Sequence, residues 1–337
     1  MSTQKINRNA LCLCGSQKKY KHCCQQRDHE QAATNQVQEI AAAQHLTSAW
    51  GHFRAGRLQQ AETVCLQLLE IAPQHTEALQ MLAGIAYQSG QHGIAADWLT
   101  QAIAINPSCQ LYCNLGLALE GLGQLHGAVD SYRLAIALKP NHADAHYYLG
   151  CAYHAQHQLD AAVSCYRKAL SLKPDYAEVH NNLGNTLKAQ GHMDAAVLAY
   201  RKAIGLKPDY AEAYSNLGLA LHGLDQLDAA IGCYHKALSI KPDFAEAHNN
   251  LGIALHKQNQ LDAALTCYQQ ALSCLPDYPE AHNNLGNVLQ VQNRPDAAIG
   301  HYRRALAIKP DYVNAHIHLG QALHMQGEPE AAIGSYR

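Results

Sequence analysis

The chain has 337 residues, 25 Lys and Arg against 27 Asp and Glu, and a hydrophobic fraction of 48%. That balance provides no net field to draw nucleic acid or an anionic membrane surface, so a dedicated nucleic-acid binder is not expected. No apolar run reaches the roughly 18 residues of a membrane span, and the polar N-terminus lacks the apolar core of an export signal, so a cytoplasmic location is expected.

The first element is short and cysteine-rich. Residues 8 to 24 read Arg-Asn-Ala-Leu-Cys-Leu-Cys-Gly-Ser-Gln-Lys-Lys-Tyr-Lys-His-Cys-Cys. A segment of this size cannot bury a core of its own, so its order must come from a cross-link or a metal. In a reducing compartment the metal is favoured, and the thiols of Cys12, Cys14, Cys23 and Cys24 suit tetrahedral zinc, with His22 an alternative to Cys23 or Cys24 as a ligand. Gly15 and Ser16 are expected to turn the chain so that backbone amides face the sulfurs. Cys-x-Cys-Gly-Ser, Lys-Lys-Tyr-Lys and the closing cysteines resemble the SEC-C motif, the zinc-binding tail of the protein-export ATPase SecA. Gln17 stands where that motif usually has glycine and Leu13 where it usually has proline. Lys18, Lys19 and Lys21 make the knuckle basic, so an acidic or ribosomal partner is compatible with the resemblance, as are simply solvated lysines. The knuckle is assigned to residues 1–27, and the polar, Gln/Ala-rich stretch 28–41 reads as a linker running into the first helix.

From about residue 42 the chain repeats. Prolines recur every 34 residues at 140, 174, 208, 242, 276 and 310, preceded by Pro73 and Pro107. Ala-Glu-Val-His-Asn-Asn-Leu-Gly at 177–184 returns in close copies from Ala211, Ala245 and Pro279. Each unit carries two runs of helical periodicity separated by a Gly, Gln or Asn turn, so each is a helix hairpin. Asp175 with Glu178, and their equivalents, have capping-box spacing at the first helix. Gly184, Gly218, Gly252 and Gly286, with Ala196, Ala230, Ala264 and Ala298, mark close approach of the two helices. Lysines at 139, 173, 207, 241 and 309 end the second helix, and the prolines stop it. The remaining eight cysteines, scattered among these helices, read as small core residues.

A 34-residue helix pair with Leu183-Gly184, Ala196, Ala203 and Pro208 in these places resembles the tetratricopeptide repeat. The resemblance covers residues 42–337, with units starting near 42, 76, 109, 143, 177, 211, 245, 279 and 313. It implies an all-α, right-handed superhelical solenoid of about nine repeats, the last incomplete, joined to the small zinc knuckle. Such a solenoid offers an extended concave surface lined by the first helix of each hairpin, the A helix.

Asn114, Asn182, Asn216, Asn250 and Asn284 each precede the repeat leucine and form a column on helix A, with Asn181, Asn249 and Asn283 as a partial second column and Ser215 in its gap. An amide supplies both a donor and an acceptor, so a column can hold the main chain of an extended peptide. The competing reading has these amides bonded between neighbouring helices or facing water. His-Asn-Asn-Leu-Gly-Asn at 180–185 resembles the repeat arm of O-linked N-acetylglucosamine transferases, which implies a peptide-gripping role for Asn182, Asn216, Asn250 and Asn284. His146, His180, His248, His282 and His316 also form a column, but equivalent positions about 8–10 Å or more apart cannot share one ion. They read as packing residues, as do Tyr176, Tyr210, Phe244, Tyr278 and Tyr312.

No phosphate loop, nucleophile elbow or zinc-protease helix occurs, so no catalytic residue is assigned. The expected function is a protein-interaction scaffold that binds extended polypeptide, with a zinc-dependent knuckle for docking. The alternative is the substrate-recognition arm of a protein O-glycosyltransferase, or of another transferase, whose catalytic domain lies outside this chain.

Overall fold

The computed structural model describes residues 9–14 and 16–336. The chain separates into two compact units, Met1–Asn141 and His142–Arg337. The first holds a short 3-10 turn at Tyr20–His22, then α1 (Gln25–Arg54), α2 (Leu58–Ile71), α3 (Thr76–Gln88), α4 (His92–Ile105), α5 (Cys109–Gly121) and α6 (Leu125–Leu138). The second holds α7 (Ala143–Ala155), α8 (Leu159–Leu172), α9 (Ala177–Ala189), α10 (Met193–Leu206), α11 (Ala211–Gly223) and α12 (Leu227–Ile240). It continues with α13 (Ala245–Lys257), α14 (Leu261–Cys274), α15 (Pro279–Val291), α16 (Pro295–Ile308), α17 (Val313–Met325) and α18 (Pro329–Tyr336). Each odd-numbered helix packs on the even one after it, so the expected hairpins form. In the second unit successive A helices also touch, α7 with α9 and so on to α15 with α17, and among the described residues no pair of successive B helices does so to the same extent. The stack is therefore more crowded on its A side, the side that curves inward in such an array.

Two expectations need correction. Residues 28–41, read as a linker, are helical, because α1 runs unbroken from Gln25 to Arg54. The Gln, Ala and Glu that made the stretch look like a linker are strong helix formers, and no Gly or Pro interrupts it before Gly51. The capping boxes do not form either. The N-caps of α9, α11, α13 and α15 are the aromatic residues Tyr176, Tyr210, Phe244 and Tyr278, none of which caps through its side chain. Proline sets the turn so that helical dihedrals begin only after the aromatic, which leaves Asp175 and its equivalents one residue outside. Glu178, Glu212, Glu246 and Glu280 remain in the first turn, where the helix dipole favours them.

The aromatic caps serve the lysines instead. Lys173, Lys207, Lys241 and Lys309 place Nζ between 4.1 and 5.3 Å from the ring centres of Tyr176, Tyr210, Phe244 and Tyr312. Lys207 also lies 3.7 Å from Glu178, and Lys241 lies 3.8 Å from Glu212. These contacts are exposed and contribute less than about 1 kcal/mol each.

The core of the second unit is built on one repeated fit. Tyr166, Tyr200, Tyr234, Tyr268 and Tyr302 are buried on the B helices. Each presses its ring against the glycine of its own hairpin, where an added Cβ would lie within 2.6 Å of ring carbon. The turn between helices needs a left-handed residue. Gly191 and Gly327 supply it, whereas His157, Asp225, Asn259 and Asn293 adopt φ between 57° and 61° at the same place. Of the scattered cysteines, Cys65, Cys113 and Cys267 are buried and Cys274 is exposed.

Candidate peptide-binding face and metal knuckle

The asparagine columns are wired to each other across repeats. Asn216 Nδ2 donates to Asn181 Oδ1 at 3.0 Å, and Asn284 Nδ2 donates to Asn249 Oδ1 at 3.0 Å. Where the sequence varies, the connection persists with other chemistry: Asn182 Nδ2 donates to Tyr147 Oη at 3.1 Å, and His318 Nδ1 lies 2.8 Å from Asn283 Oδ1. The second column is buried, with Asn181, Asn249 and Asn283 no more than 5% exposed, and the first is half-buried. Inter-helix bonding therefore uses one N–H of the Asn216 and Asn284 amides and leaves the rest of each group unused.

The members of the first column are not equivalent. Asn182 is fully engaged: a second N–H lies 3.6 Å from Cys151 Sγ, and its Oδ1 accepts from Asn181 Nδ2 at 3.3 Å. Among the described residues, Asn216 and Asn284 keep their Oδ1 atoms free of protein partners, and Asn250, one repeat on from Ser215, makes no side-chain hydrogen bond. Asn114 lies in the first unit, on α5, where its Oδ1 accepts from Gln110 Nε2 at 2.9 Å.

A second set of connections, not anticipated from sequence, ties the helix ends together. Gln190, Gln258, Gln292 and Gln326 donate Nε2 to Oδ1 of Asp160, Asp228, Asp262 and Asp296 at 2.6–2.8 Å. Both columns are visible in the sequence, but the pairing runs 30 residues backwards into the preceding repeat, so a reading within one 34-residue unit does not find it. The histidine column packs, as expected, through a specific contact. Nε2 of His180, His248, His282 and His316 lies 2.8–3.1 Å from the carbonyl oxygen of Pro174, Pro242, Pro276 and Pro310, closing the entry turn of each hairpin.

At the knuckle, the Sγ atoms of Cys12, Cys14, Cys23 and Cys24 all lie within 4.8 Å of one another. Cys14 and Cys23 are 3.3 Å apart, and Cys23 and Cys24 are 3.6 Å apart. A tetrahedron with Zn–S bonds of about 2.3 Å has edges of about 3.8 Å, so the cluster is of the right size and needs little adjustment to close on zinc. Hydrogen bonds from Ser16 and Cys23 bring the Cys14 thiol down to about 6, while the same crowd of thiols pushes Cys24 up to about 12. That divergence is expected of thiols that cannot all ionise without a cation among them.

The two arms of the knuckle are joined by Cys12 N–H to Lys18 O at 2.8 Å and Tyr20 N–H to Ala10 O at 2.9 Å. Cys24 is the N-cap of α1, and Tyr20 Oη donates to Asp28 Oδ2 at 2.8 Å, so the knuckle sits directly on the first turn of that helix. Ser16 Oγ lies 2.9 Å from Cys23 Sγ, while Gly15, the other half of the expected turn, is outside the described residues. His22 does not join the sulfur cluster; it lines an open surface cleft together with Lys21, Gln25, Gln26 and His29. Gln17 adopts φ 58°, which explains the glycine preference at that place. No helix among the described residues is long and apolar enough to cross a membrane.

Comparison with known proteins agrees with this geometry. Residues 8–26 match the SEC-C motif, and residues 46–108 match the tetratricopeptide repeat. The TPR repeat family matches in six overlapping stretches, 121–157, 152–191, 184–225, 224–259, 254–293 and 291–327. No curated protein sequence matches the chain. Among solved structures, the APC/C hetero-tetramer Cut9-Hcn1 aligns with a TM-score of 0.63 and 20% identity, over 83% of this chain and 55% of the other. This chain thus spans about half the length of that relative. Pseudomonas aeruginosa pilF aligns with a TM-score of 0.56 and 22% identity, over 65% of this chain and 97% of the other. At such identities the likeness is one of fold. Six overlapping family matches together span residues 121–327, more than half of the chain, and on that ground the chain belongs to the tetratricopeptide-repeat family, with a SEC-C motif at its N-terminus.

Proposed function

We propose that this chain is a protein-interaction scaffold whose A-helix face in the second unit holds an extended polypeptide by its main chain, and whose four N-terminal thiols hold zinc. The observation that carries the first part is the state of the asparagine column. Asn216 and Asn284 are oriented by one internal hydrogen bond each and retain a free carbonyl oxygen, and Asn250 retains its whole amide. A half-buried amide held in place in this way pairs with a peptide unit through both its donor and its acceptor, at a reduced entropic cost. Asn182 supports the column rather than belonging to its binding surface, since its amide is already engaged. Asn114, on the A-helix face of the first unit, contributes through its NH2, since its Oδ1 already accepts from Gln110. The sulfur spacing and the SEC-C match support zinc as the metal. Bound zinc would supply the cross-link that a segment of this size needs, with the knuckle acting as a docking element fixed on α1.

Asn250→Ala is the cleanest test of the clamp, because it removes no internal hydrogen bond. Binding is read with an array of unstructured peptides after circular dichroism has shown that variant and native chain fold alike. The two peptide hydrogen bonds lost, about 2 kcal/mol together, predict roughly thirtyfold weaker capture. Unchanged capture by Asn250→Ala and by the triple alanine variant at Asn216, Asn250 and Asn284 would remove the column from the binding surface.

A further inference from the structure

A pocket of about 140 Å³ opens on the A side between α7 and α9, lined by Cys151, His154, Tyr166, Asn182 and Asn185. Its polar groups have hydrogen-bonding directions fixed from behind. Thr186 donates its only hydroxyl proton to the carbonyl of Asn182 at 2.8 Å. Its oxygen, 2.8 Å from His154 Nδ1, must therefore accept from that ring, so the neutral ring carries its proton on Nδ1 and turns a bare Nε2 outward as an acceptor. Burial holds the His154 ring below the usual histidine value, with His157 adding to the effect, which favours this neutral form.

On the opposite wall, the buried Tyr200 donates its hydroxyl to Asn185 Oδ1 at 2.7 Å. The carboxamide of Asn185 thus turns its NH2 away from the core as a donor. Asn182 between them is engaged with Tyr147, Cys151 and Asn181 and adds no strong preference. Thr186 is the telling residue. It is 0% exposed, and the equivalent places in neighbouring repeats hold Ala152, Ala220, Ala254 and Val288. A hydroxyl in that apolar core position costs stability unless it is bonded, and its bonds serve to orient His154.

We infer that this pocket is an amide-reading subsite, in which His154 Nε2 accepts an N–H and Asn185 Nδ2 donates to a carbonyl oxygen of the same ligand amide. The space is about ten times the roughly 10–15 Å³ a cavity needs to hold one water, so it admits a carboxamide or a peptide unit. A carboxylate would meet the bare lone pair of His154 and is disfavoured. The inference deepens the peptide-binding reading of this face, on which its biological use rests, and it names the chemistry recognised: a side-chain carboxamide of Asn or Gln, or one main-chain peptide bond.

The test uses the full chain, labelled with 15N in histidine rings and asparagine side chains, and small probes in place of a peptide. Propanamide mimics the side-chain carboxamide, N-methylacetamide mimics the main chain, and methyl acetate offers an acceptor without a donor. Saturable shifts at His154 Nε2 and Asn185 Nδ2 are expected with one or both amides, half-complete on the order of tens of millimolar for ligands this small. The stronger amide identifies the source, and methyl acetate gives no saturable response. Thr186→Val, which copies the Val288 environment, should weaken the amide response severalfold by releasing the His154 tautomer. The inference is overturned if neither amide saturates, if methyl acetate responds equally, or if Thr186→Val behaves as native. Loss of peptide capture with the amide shifts intact would remove the main-chain clamp alone.

Discussion

The glycine-tyrosine fit predicts opposite signs for the same substitution at two places in one hairpin. Gly218 and Gly232 both lie in helix interiors, where glycine costs about 0.5–1 kcal/mol against alanine. Around Gly232 nothing lies within 4 Å of an added Cβ, so Gly232→Ala should stabilise by about that amount. At Gly218 the new Cβ would stand 2.6 Å from Tyr234 Cε1 and 2.9 Å from Cδ1 and Cζ. Ordinary carbon contact is about 3.5–4.0 Å, so the ring must move by about 1 Å. Tyr234 is 1% exposed and packed within the main core cluster, so the ring has no open side to move into. Overpacking of this kind costs about 1–3 kcal/mol, and the upper end applies to a rigid buried ring. Subtracting the helix gain leaves Gly218→Ala destabilised by about 2 kcal/mol. Because a repeat array need not unfold in one step, the assay is hydrogen exchange of the amides in α11 and α12 alongside urea unfolding. A Gly218→Ala protein with protection equal to or above native in those helices would refute the packing argument.

Further expectations follow from the knuckle, the turns and the histidines. The chain should bind one zinc ion per molecule, and chelation should cost helical signal from the start of α1 while the repeats keep theirs, since the sulfur cluster sits at that helix's N-cap. Gln17→Gly should remove about 1 kcal/mol of left-handed strain and slow zinc loss to a chelator; no change would place the strain elsewhere. His157→Gly, at φ 59°, should raise the unfolding midpoint by a similar free energy, and an unchanged midpoint would contradict the strain assigned to that turn. His154, His180, His222, His256, His282, His301 and His318 are all held below their ordinary 6.5, chiefly by burial. The unfolded chain therefore binds more protons than the folded one just below that value. Their contribution is full above about pH 6.5 and is lost as pH falls through the lowered values, so the urea midpoint should drop between pH 7.5 and 5.5.

The repeat could be read directly because its determinants are local and recur: helical periodicity, one small residue facing one large one, and a proline that stops each second helix. The A-helix starts at residues 76, 109, 143, 177, 211, 245, 279 and 313 follow from those determinants alone. Helix α1 is harder to read, since its first half is polar on all sides and carries no periodic signal; it is nearly devoid of a hydrophobic face and is capped by Cys24 of the knuckle. The caps were misread because Asp-x-x-Glu spacing leaves open which residue begins the helix. The candidate binding face could be read only as columns. That Asn181 serves Asn216, or that Gln190 serves Asp160, depends on the offset between stacked hairpins, which no single repeat encodes. The orientation of His154 by Thr186 lies further from view still, although a lone threonine among Ala152, Ala220, Ala254 and Val288 is a visible irregularity.

The asparagine and glutamine series of the second unit are both interrupted at one hairpin, which is tied to α13 instead by Lys257 Nζ to Asp225 Oδ1 at 2.7 Å. The α7–α10 hairpins share both kinds of link, through Tyr147 with Asn182 and Asp160 with Gln190. So do the hairpins of α13–α16 and those of α15–α18. Ser215 removes one link, because its short side chain stands where asparagine would accept from Asn250, and Leu224 replaces the glutamine that would reach Asp194. Both gaps belong to the α11–α12 hairpin. Ser215 is 3% exposed in a place where Asn181, Asn249 and Asn283 are equally buried and well accommodated, so Ser215→Asn should fit and restore the link. One buried hydrogen bond adds about 1 kcal/mol, read as slower hydrogen exchange in α11 and α13. The same substitution commits Asn250, whose free amide is what the clamp reading assigns to the peptide. Ser215→Asn should therefore raise local protection and at the same time weaken peptide capture, by less than Asn250→Ala because one N–H and the carbonyl oxygen remain. Greater protection with unchanged capture would mean that the gap at Ser215 reflects only packing, and that Asn250 is free for reasons unrelated to a ligand.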